Sequence, residues 1–260
     1  MELGLAGKTA LITGGSQGIG LAVATSLAAE GAHLHLVSRN EGKLREAKAT
    51  LQRSHDCTVH IHAIDLGSSD GIRQAAEAGS LADILINNAG AIPQGDLLAV
   101  DEAAWRAAWE LKVFGFINLT REIYRSMRQR RSGVIINIIG ASGERPKPSY
   151  IAGTSGNAAL MQFSRALGGE SVDHGVRVVG VNPGWIETSR QVDRWKVRAQ
   201  EAFGDENRWR ELEPVRRSPF GRLARPEEVA DVITFLSSER ASYISGTIVT
   251  IDGGRLGRGD

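Results

Sequence analysis

Short apolar runs alternate along this chain with longer stretches whose apolar residues recur at helical spacing. Residues 9–12 (Thr-Ala-Leu-Ile) form the first such run, and 21–29 the first helical pattern. Residues 33–37 read as a second strand and 41–53 as a helix. Residues 58–64 read as a third strand and 83–86 as a short buried fourth. A long helix fits 102–130, with Trp105 and Trp109 on one face. Residues 134–138 are strand five, 153–170 a helix and 176–181 strand six. A polar stretch covers 187–218, Pro226 opens a helix that reaches residue 237, and 248–251 make the last strand. This alternation predicts an α/β fold, a parallel sheet wound with helices on both faces. No repeat, low-complexity segment or linker interrupts it, so a single domain is expected over 1–260.

In such a sheet a ligand lies over the carboxyl ends of the strands. Polar or glycine-rich punctuation falls at four of those ends. The first and fullest is Thr13-Gly14-Gly15-Ser16-Gln17-Gly18-Ile19-Gly20; the others are Asp65-Leu66, Asn87-Asn88-Ala89-Gly90 and Asn182-Pro183-Gly184. Glycines allow a tight turn and close approach of a diphosphate, and the following helix offers free N–H groups and its positive dipole end. Strand, glycine turn and helix in that order predict a dinucleotide site.

Composition narrows the partners. There are 31 basic and 30 acidic side chains, a net charge of +1, which gives no electrostatic case for nucleic acid or an anionic membrane. The run Arg128-Gln129-Arg130-Arg131 ends a helix, where cations oppose the dipole. Residues 1–8 lack the apolar core of a signal peptide, and no run approaches a membrane span. With Cys57 as the sole cysteine, a cytoplasmic protein without a disulfide is expected.

The second strand ends in Val37-Ser38-Arg39-Asn40. An NAD site usually places an acid there for the ribose hydroxyls. Ser38 and Arg39 offer instead a hydroxyl and a guanidinium that pairs with a 2′-phosphate, so NADP(H) is expected over NAD.

The motifs Thr13-Gly-x-x-x-Gly18-x-Gly20, Asp65, Asn87-Asn-Ala-Gly90, Asn182-Pro-Gly184 and Asp252-Gly-Gly254, in this order, resemble the short-chain dehydrogenase/reductase family from about residue 5 to 254. The resemblance implies a Rossmann fold with a seven-stranded parallel sheet, a nicotinamide cofactor, a small-molecule substrate and a homotetramer or homodimer. It implies cofactor contacts from Gly14, Ser16, Gln17, Gly18, Ile19, Gly20, Ser38, Arg39, Asp65, Leu66, Asn88, Ala89, Gly90, Pro183, Gly184, Ile186 and Thr188. Asp65 and Asn87 are expected at the adenine and its ribose, and Thr188 at the nicotinamide carboxamide.

The family's chemistry usually rests on Asn, Ser, Tyr and Lys. Laid on this chain without a gap, the Ser position falls on Gly140, Tyr on Gly153, Lys on Asn157 and Asn on Lys112. None matches, which marks a divergent member. Lys112 and Asn157 read as an exchanged pair that keeps a cation near the nicotinamide; the alternative is a solvated Lys112 and an ordinary helical Asn157. Tyr150 precedes the Tyr position by about one helical turn, ~5 Å. Either its hydroxyl swings into the same site, with Lys112 lowering its pKa, or it is a packed aromatic. Ser142 is the nearest stand-in for the lost Ser, and Glu144 and Lys147 share its loop. The function expected is therefore NADP(H)-dependent carbonyl–alcohol interconversion at a non-standard site. The alternatives are a dinucleotide-binding regulator without the chemistry, or a non-redox reaction on the same scaffold.

A substrate lid is expected over about 187–220. Its eight bases nearly balance its seven acids, which reads as a solvated amphipathic helix pair, an acidic or acyl-carrier substrate being the alternative. The faces around Trp109 and Leu160 suggest oligomer surfaces, internal packing being the alternative. His33, His35, His60 and His62 fall on neighbouring strands, yet no acid or cysteine joins them, and no metal site is expected.

Overall fold

The apolar runs become strands because both of their faces are covered. Leu11, Ile12, Leu34, Leu36, Leu85, Ile86, Ile135, Ile136, Val178 and Val179 are wholly buried, as the strands of a parallel sheet between helical layers must be. The computed structural model describes residues 2–258. Strands β1 (Thr9–Thr13), β2 (His33–Ser38), β3 (Val59–Ala63), β4 (Ile84–Asn87), β5 (Gly133–Ile138), β6 (Val176–Pro183) and β7 (Thr247–Ile251) pair in the order β3-β2-β1-β4-β5-β6-β7. Every pairing is parallel. The expected Rossmann-type fold is therefore present.

Helices α1 (Gly18–Ala29), α2 (Glu41–Ser54) and α9 (Pro226–Ser237) cover one face. Helices α3 (Ser69–Ala78), α5 (Gly115–Arg130) and α6 (Ile151–Glu170) cover the other. β1 lies between β2 and β4, so successive connections leave in opposite directions there and open a crevice above the strand ends.

Three segments depart from the sequence reading. Helix α3 was not anticipated: its buried face is only Gly71, Ile72 and Ala75, too sparse for a clear period, and the Ser68 hydroxyl caps it by accepting from Gly71 N at 3.0 Å. The long helix over 102–130 is α4 (Glu102–Trp109), a π-turn (Glu110–Phe114) and α5. Such wide turns are rare and cluster at functional sites; this one carries Lys112. The polar stretch is not a solvated helix pair. Helix α7 (Ser189–Phe203), a 3₁₀ turn (Glu206–Glu211) and the short α8 (Glu213–Arg216) close on a small core of Trp195, Ala199, Trp209, Leu212, Val215 and Leu223.

Leu160 is wholly buried among Val113, Phe116, Ile139 and Met161, so it forms no oligomer surface. Trp109 is partly buried, and its indole N–H donates to the Ala152 carbonyl at 3.0 Å. Three of the four histidines do meet: His62 Nε2 lies 3.1 Å from His35 Nδ1, with the His60 ring 4.8 Å from that of His35. His33 turns aside and accepts from Thr58 N. Among the described residues no helix is long and apolar enough to cross a membrane.

Candidate active site

The glycine loop is braced from β4. Thr13 Oγ1 accepts from the amides of Asn88 (2.8 Å) and Ala89 (3.0 Å), while Asn88 Nδ2 donates to the carbonyls of Thr13 and Gly14. Gly14 and Gly18 have φ of +65° and +57°, a region that disfavours a side chain. A Cβ on Gly20 would collide with the Gly14 carbonyl, so Gly20 lets α1 pack directly on the loop. No side chain caps α1 at Gln17, which leaves its first N–H groups free to meet an anion.

Those groups face a cavity of about 660 Å³ lined by Gly14, Ser16, Gln17, Gly18, Ile19, Ser38, Arg39, Leu66, Asn88, Ala89, Gly90 and Thr188. Asp65 lies between the lining residues Ile64 and Leu66, and its Oδ1 accepts from Gly67 N at 3.0 Å within its own turn. Asn87 is buried, and its amide donates to Thr120 Oγ1 and Asn137 Oδ1 at 2.9 Å each, tying β4 to β5 and α5. Lys43 and Arg190 also line the cavity and were missed. Lys43 stands in the first turn of α2, where a cation is repelled by the positive end of the dipole; that misplaced charge was the available signal. Its Nζ donates to Gln17 Oε1 at 2.7 Å, beside Arg39 in the cavity wall.

A second cavity, of about 670 Å³, shares Ile19, Asn88 and Thr188 with the first, so the two form one cleft. Pro183, Gly184 and Ile186 stand in its wall near that junction. Thr188 caps α7, its hydroxyl accepting from Gln191 N.

Lys112 and Asn157 both line this second cavity. Lys112 leaves the π-turn, runs its stem against Gly90, where a Cβ would stand 2.7 Å from its Cδ, and donates from Nζ to the Ile139 carbonyl at 2.6 Å. Burial, with Arg190 adding repulsion, lowers its pKa to about 8. Asn157 Nδ2 donates to Ser142 Oγ at 2.8 Å, and its Oδ1 is buried without a partner. Gly140, at φ +138°, brings its backbone against Asn157; a Cβ there would lie 3.0 Å from Nδ2.

Tyr150 also lines the cavity, and its ring covers Gly153. A Cβ on Gly153 would collide with its Cζ, so the ring fills the space that a side chain at 153 would enter. Burial raises its pKa, while Arg194 and Arg190 pull it down. Glu144 is already engaged: its Oε1 accepts from Asn182 Nδ2 at 2.7 Å and Thr250 Oγ1 at 3.1 Å. Lys147 is half-buried, its pKa lowered by burial and by Arg255, Arg145 and Arg198.

A family model described as short chain dehydrogenase matches residues 8–199. The 2,3-dihydro-2,3-dihydroxybenzoate dehydrogenase of Bacillus subtilis (strain 168) is 33% identical over 256 residues, covering 96% of this chain and 97% of the relative. The cis-4-hydroxycyclohexanecarboxylate dehydrogenase of Sinomonas cyclohexanicum is 37% identical over 255 residues, covering 95% and 96%. The crystal structure of L-sorbose reductase from Gluconobacter frateurii, complexed with NADPH and L-sorbose, superposes with a TM-score of 0.94 at 35% identity, covering 99% of this chain and 100% of that one.

Proposed function

The chain belongs to the short-chain dehydrogenase/reductase family, and from that premise we propose an NADP(H)-dependent oxidoreductase that interconverts a carbonyl and an alcohol at a divergent site in which Lys112 takes the charged role. The first cavity suits the cofactor. Its glycine cradle admits a diphosphate, the uncapped start of α1 meets that charge, and Arg39 with Lys43 suits a 2′-phosphate. The unpartnered Asn157 Oδ1 suits a ribose hydroxyl. NADP-dependence is also in keeping with the L-sorbose reductase complex. When bound, NADPH supplies the hydride that reduces the carbonyl carbon.

The observation that carries the reading is Lys112, buried beside Gly90 at the meeting of the two cavities with its pKa near 8. An ammonium has three donors. One is held by Ile139, which leaves two to aim at the substrate oxygen. A pKa near working pH suits proton transfer in both directions. Ser142 and Asn157 position one another beneath it. Tyr150 takes the part of a wall and a secondary hydrogen-bond donor. A homodimer or homotetramer, as the family implies, belongs to the same reading, and light scattering tests it.

The test measures NADPH oxidation over a panel of ketones with wild type, Lys112→Met and Lys112→Arg. Wild-type kcat is expected to fall above about pH 8, and Lys112→Met to lose about 100-fold in kcat. Unchanged turnover and cofactor affinity in Lys112→Met overturn the assignment. Tight NADPH binding with no turnover on any carbonyl favours a regulator, the reading that the missing side chains at Gly140 and Gly153 would support.

A further inference from the structure

By count the lid is nearly neutral; in space it is sorted. Glu187 pairs with Arg210, Glu206 with Lys196, Glu211 with Arg208 and Glu213 with Arg217, all outside the cleft. The bases left over include Arg194 and Arg198, one helical turn apart on α7. With Gln191 and Trp195 they make the stripe that faces the second cavity. From the opposite wall, the loop after β5 brings Arg145 and Lys147, and the segment after β7 brings Arg255.

Among the described residues, Lys112, Arg145, Lys147, Arg194 and Arg198 line that cavity against one carboxylate, Asp252. Asp252 is taken by its own turn, its two oxygens accepting from Gly254 N (2.8 Å) and Leu256 N (2.7 Å). Among the described residues no carboxylate pairs with Arg145, Lys147, Arg194 or Arg198 within ion-pair distance. Three cations converge on one aromatic wall. The Arg255 guanidinium lies 3.5 Å and Lys147 Nζ 5.4 Å from the centre of the Trp185 ring, and Arg198 lies 5.2 Å from that of Trp195. The two rings meet edge to face at 5.4 Å.

Like charges gathered in a half-enclosed space repel, and a bound anion removes that repulsion while meeting guanidinium forks shaped for it. We propose that the substrate carries an anionic group, a carboxylate or a phosphate, seated among Arg145, Lys147 and Arg198 against Trp185, with Arg194 flanking it. The inference rests on the redox reading for the word substrate; the anion site itself stands on this geometry. It is separate from Arg39 and Lys43, which line the other cavity.

The test is binding, followed through tryptophan fluorescence in the full chain with NADPH present. The probes are benzoate, phenyl phosphate and neutral benzamide. One of the two anions is expected to bind about tenfold or more tightly than benzamide, and the stronger anion names the group. The preference is expected to weaken with salt and to vanish in the double variant K147Q/R198Q, with NADPH affinity kept. Equal binding of all three probes by wild type overturns the proposal, whatever the variant does, and so does an anion preference that survives in a folded double variant. The two readings fail separately. Anion binding without turnover on any ketone sinks the redox reading and leaves this site. Turnover of neutral ketones with no anion preference does the reverse.

Discussion

The ring of Tyr150 occupies the space in which a side chain on Gly153 would begin. The two residues are thus one packing unit: the aromatic is set one turn early, and the glycine makes room for it. Gly153→Ala is expected to lose about 1–3 kcal/mol through overpacking. In a Tyr150→Ala background the clash is gone, and the same change should stabilise α6 by up to about 1 kcal/mol, the helix preference of Ala over Gly. Urea unfolding of the four proteins in this cycle measures the coupling. Additive effects would show that the ring does not rest on Gly153.

Lys112 links stability to alkaline pH. Its pKa falls from 10.5 to about 8 on folding. Below pH 8 it is charged in both states, and its burial cost is then at a maximum. Between pH 8 and 10.5 the unfolded chain binds the extra proton, so stability from this group rises with pH by at most about 3 kcal/mol. Denaturant midpoints at pH 7 and pH 10 should therefore differ between wild type and Lys112→Met, wild type gaining more on the alkaline side. Parallel changes in the two proteins would place Lys112 in solvent.

Arg39 and Lys43 are expected to distinguish the two nicotinamide cofactors. Replacing either with Ala should weaken NADPH by about tenfold or more, as for a lost hydrogen bond to a charged group, and leave NADH affinity nearly unchanged. Titration of cofactor fluorescence with each dinucleotide reads the difference.

The histidines of β2 and β3 make the opposite edge of the sheet acid-sensitive. Burial, then His62 and His60, lower the His35 pKa from 6.5 to about 4; burial, then His60, lower that of His62. For both groups the unfolded chain binds protons more readily. Stability is therefore full above pH 6.5 and lost as pH falls towards 4. His35→Gln should narrow the drop in thermal midpoint between pH 7 and pH 5. The groups are half-exposed, so a modest effect of a few degrees is expected.

Much of the fold was legible because burial on both faces writes strands as apolar runs, as in residues 83–86 and 134–138. Helix α3 was not, since an alanine-rich face carries too little contrast against its flanks. The glycine loop was legible because the backbone path itself demands glycine at 14, 18 and 20. The reach of Tyr150 was not, because sequence spacing gives a distance along the helix axis and not the direction of the ring. Charge counting failed in the lid for a related reason. Eight bases and seven acids cancel on paper, but four of the acids pair with bases outside the cleft while Arg194 and Arg198 line it. The helical spacing of those two arginines around Trp195 was the signal available. The partner of Lys112, the Ile139 carbonyl, is a backbone atom that no motif names.

The π-turn at Glu110–Phe114 acts as a phase shifter. It separates the angular setting of the Trp105–Trp109 stripe from that of the Phe116, Leu119, Ile123 and Met127 stripe on α5. Removing one residue there would restore a regular ladder and rotate one end against the other by about 100°. Both stripes cannot then keep their seats while Lys112 keeps its own. A defect in backbone regularity is what allows one segment to serve two packing surfaces and aim a cation between them.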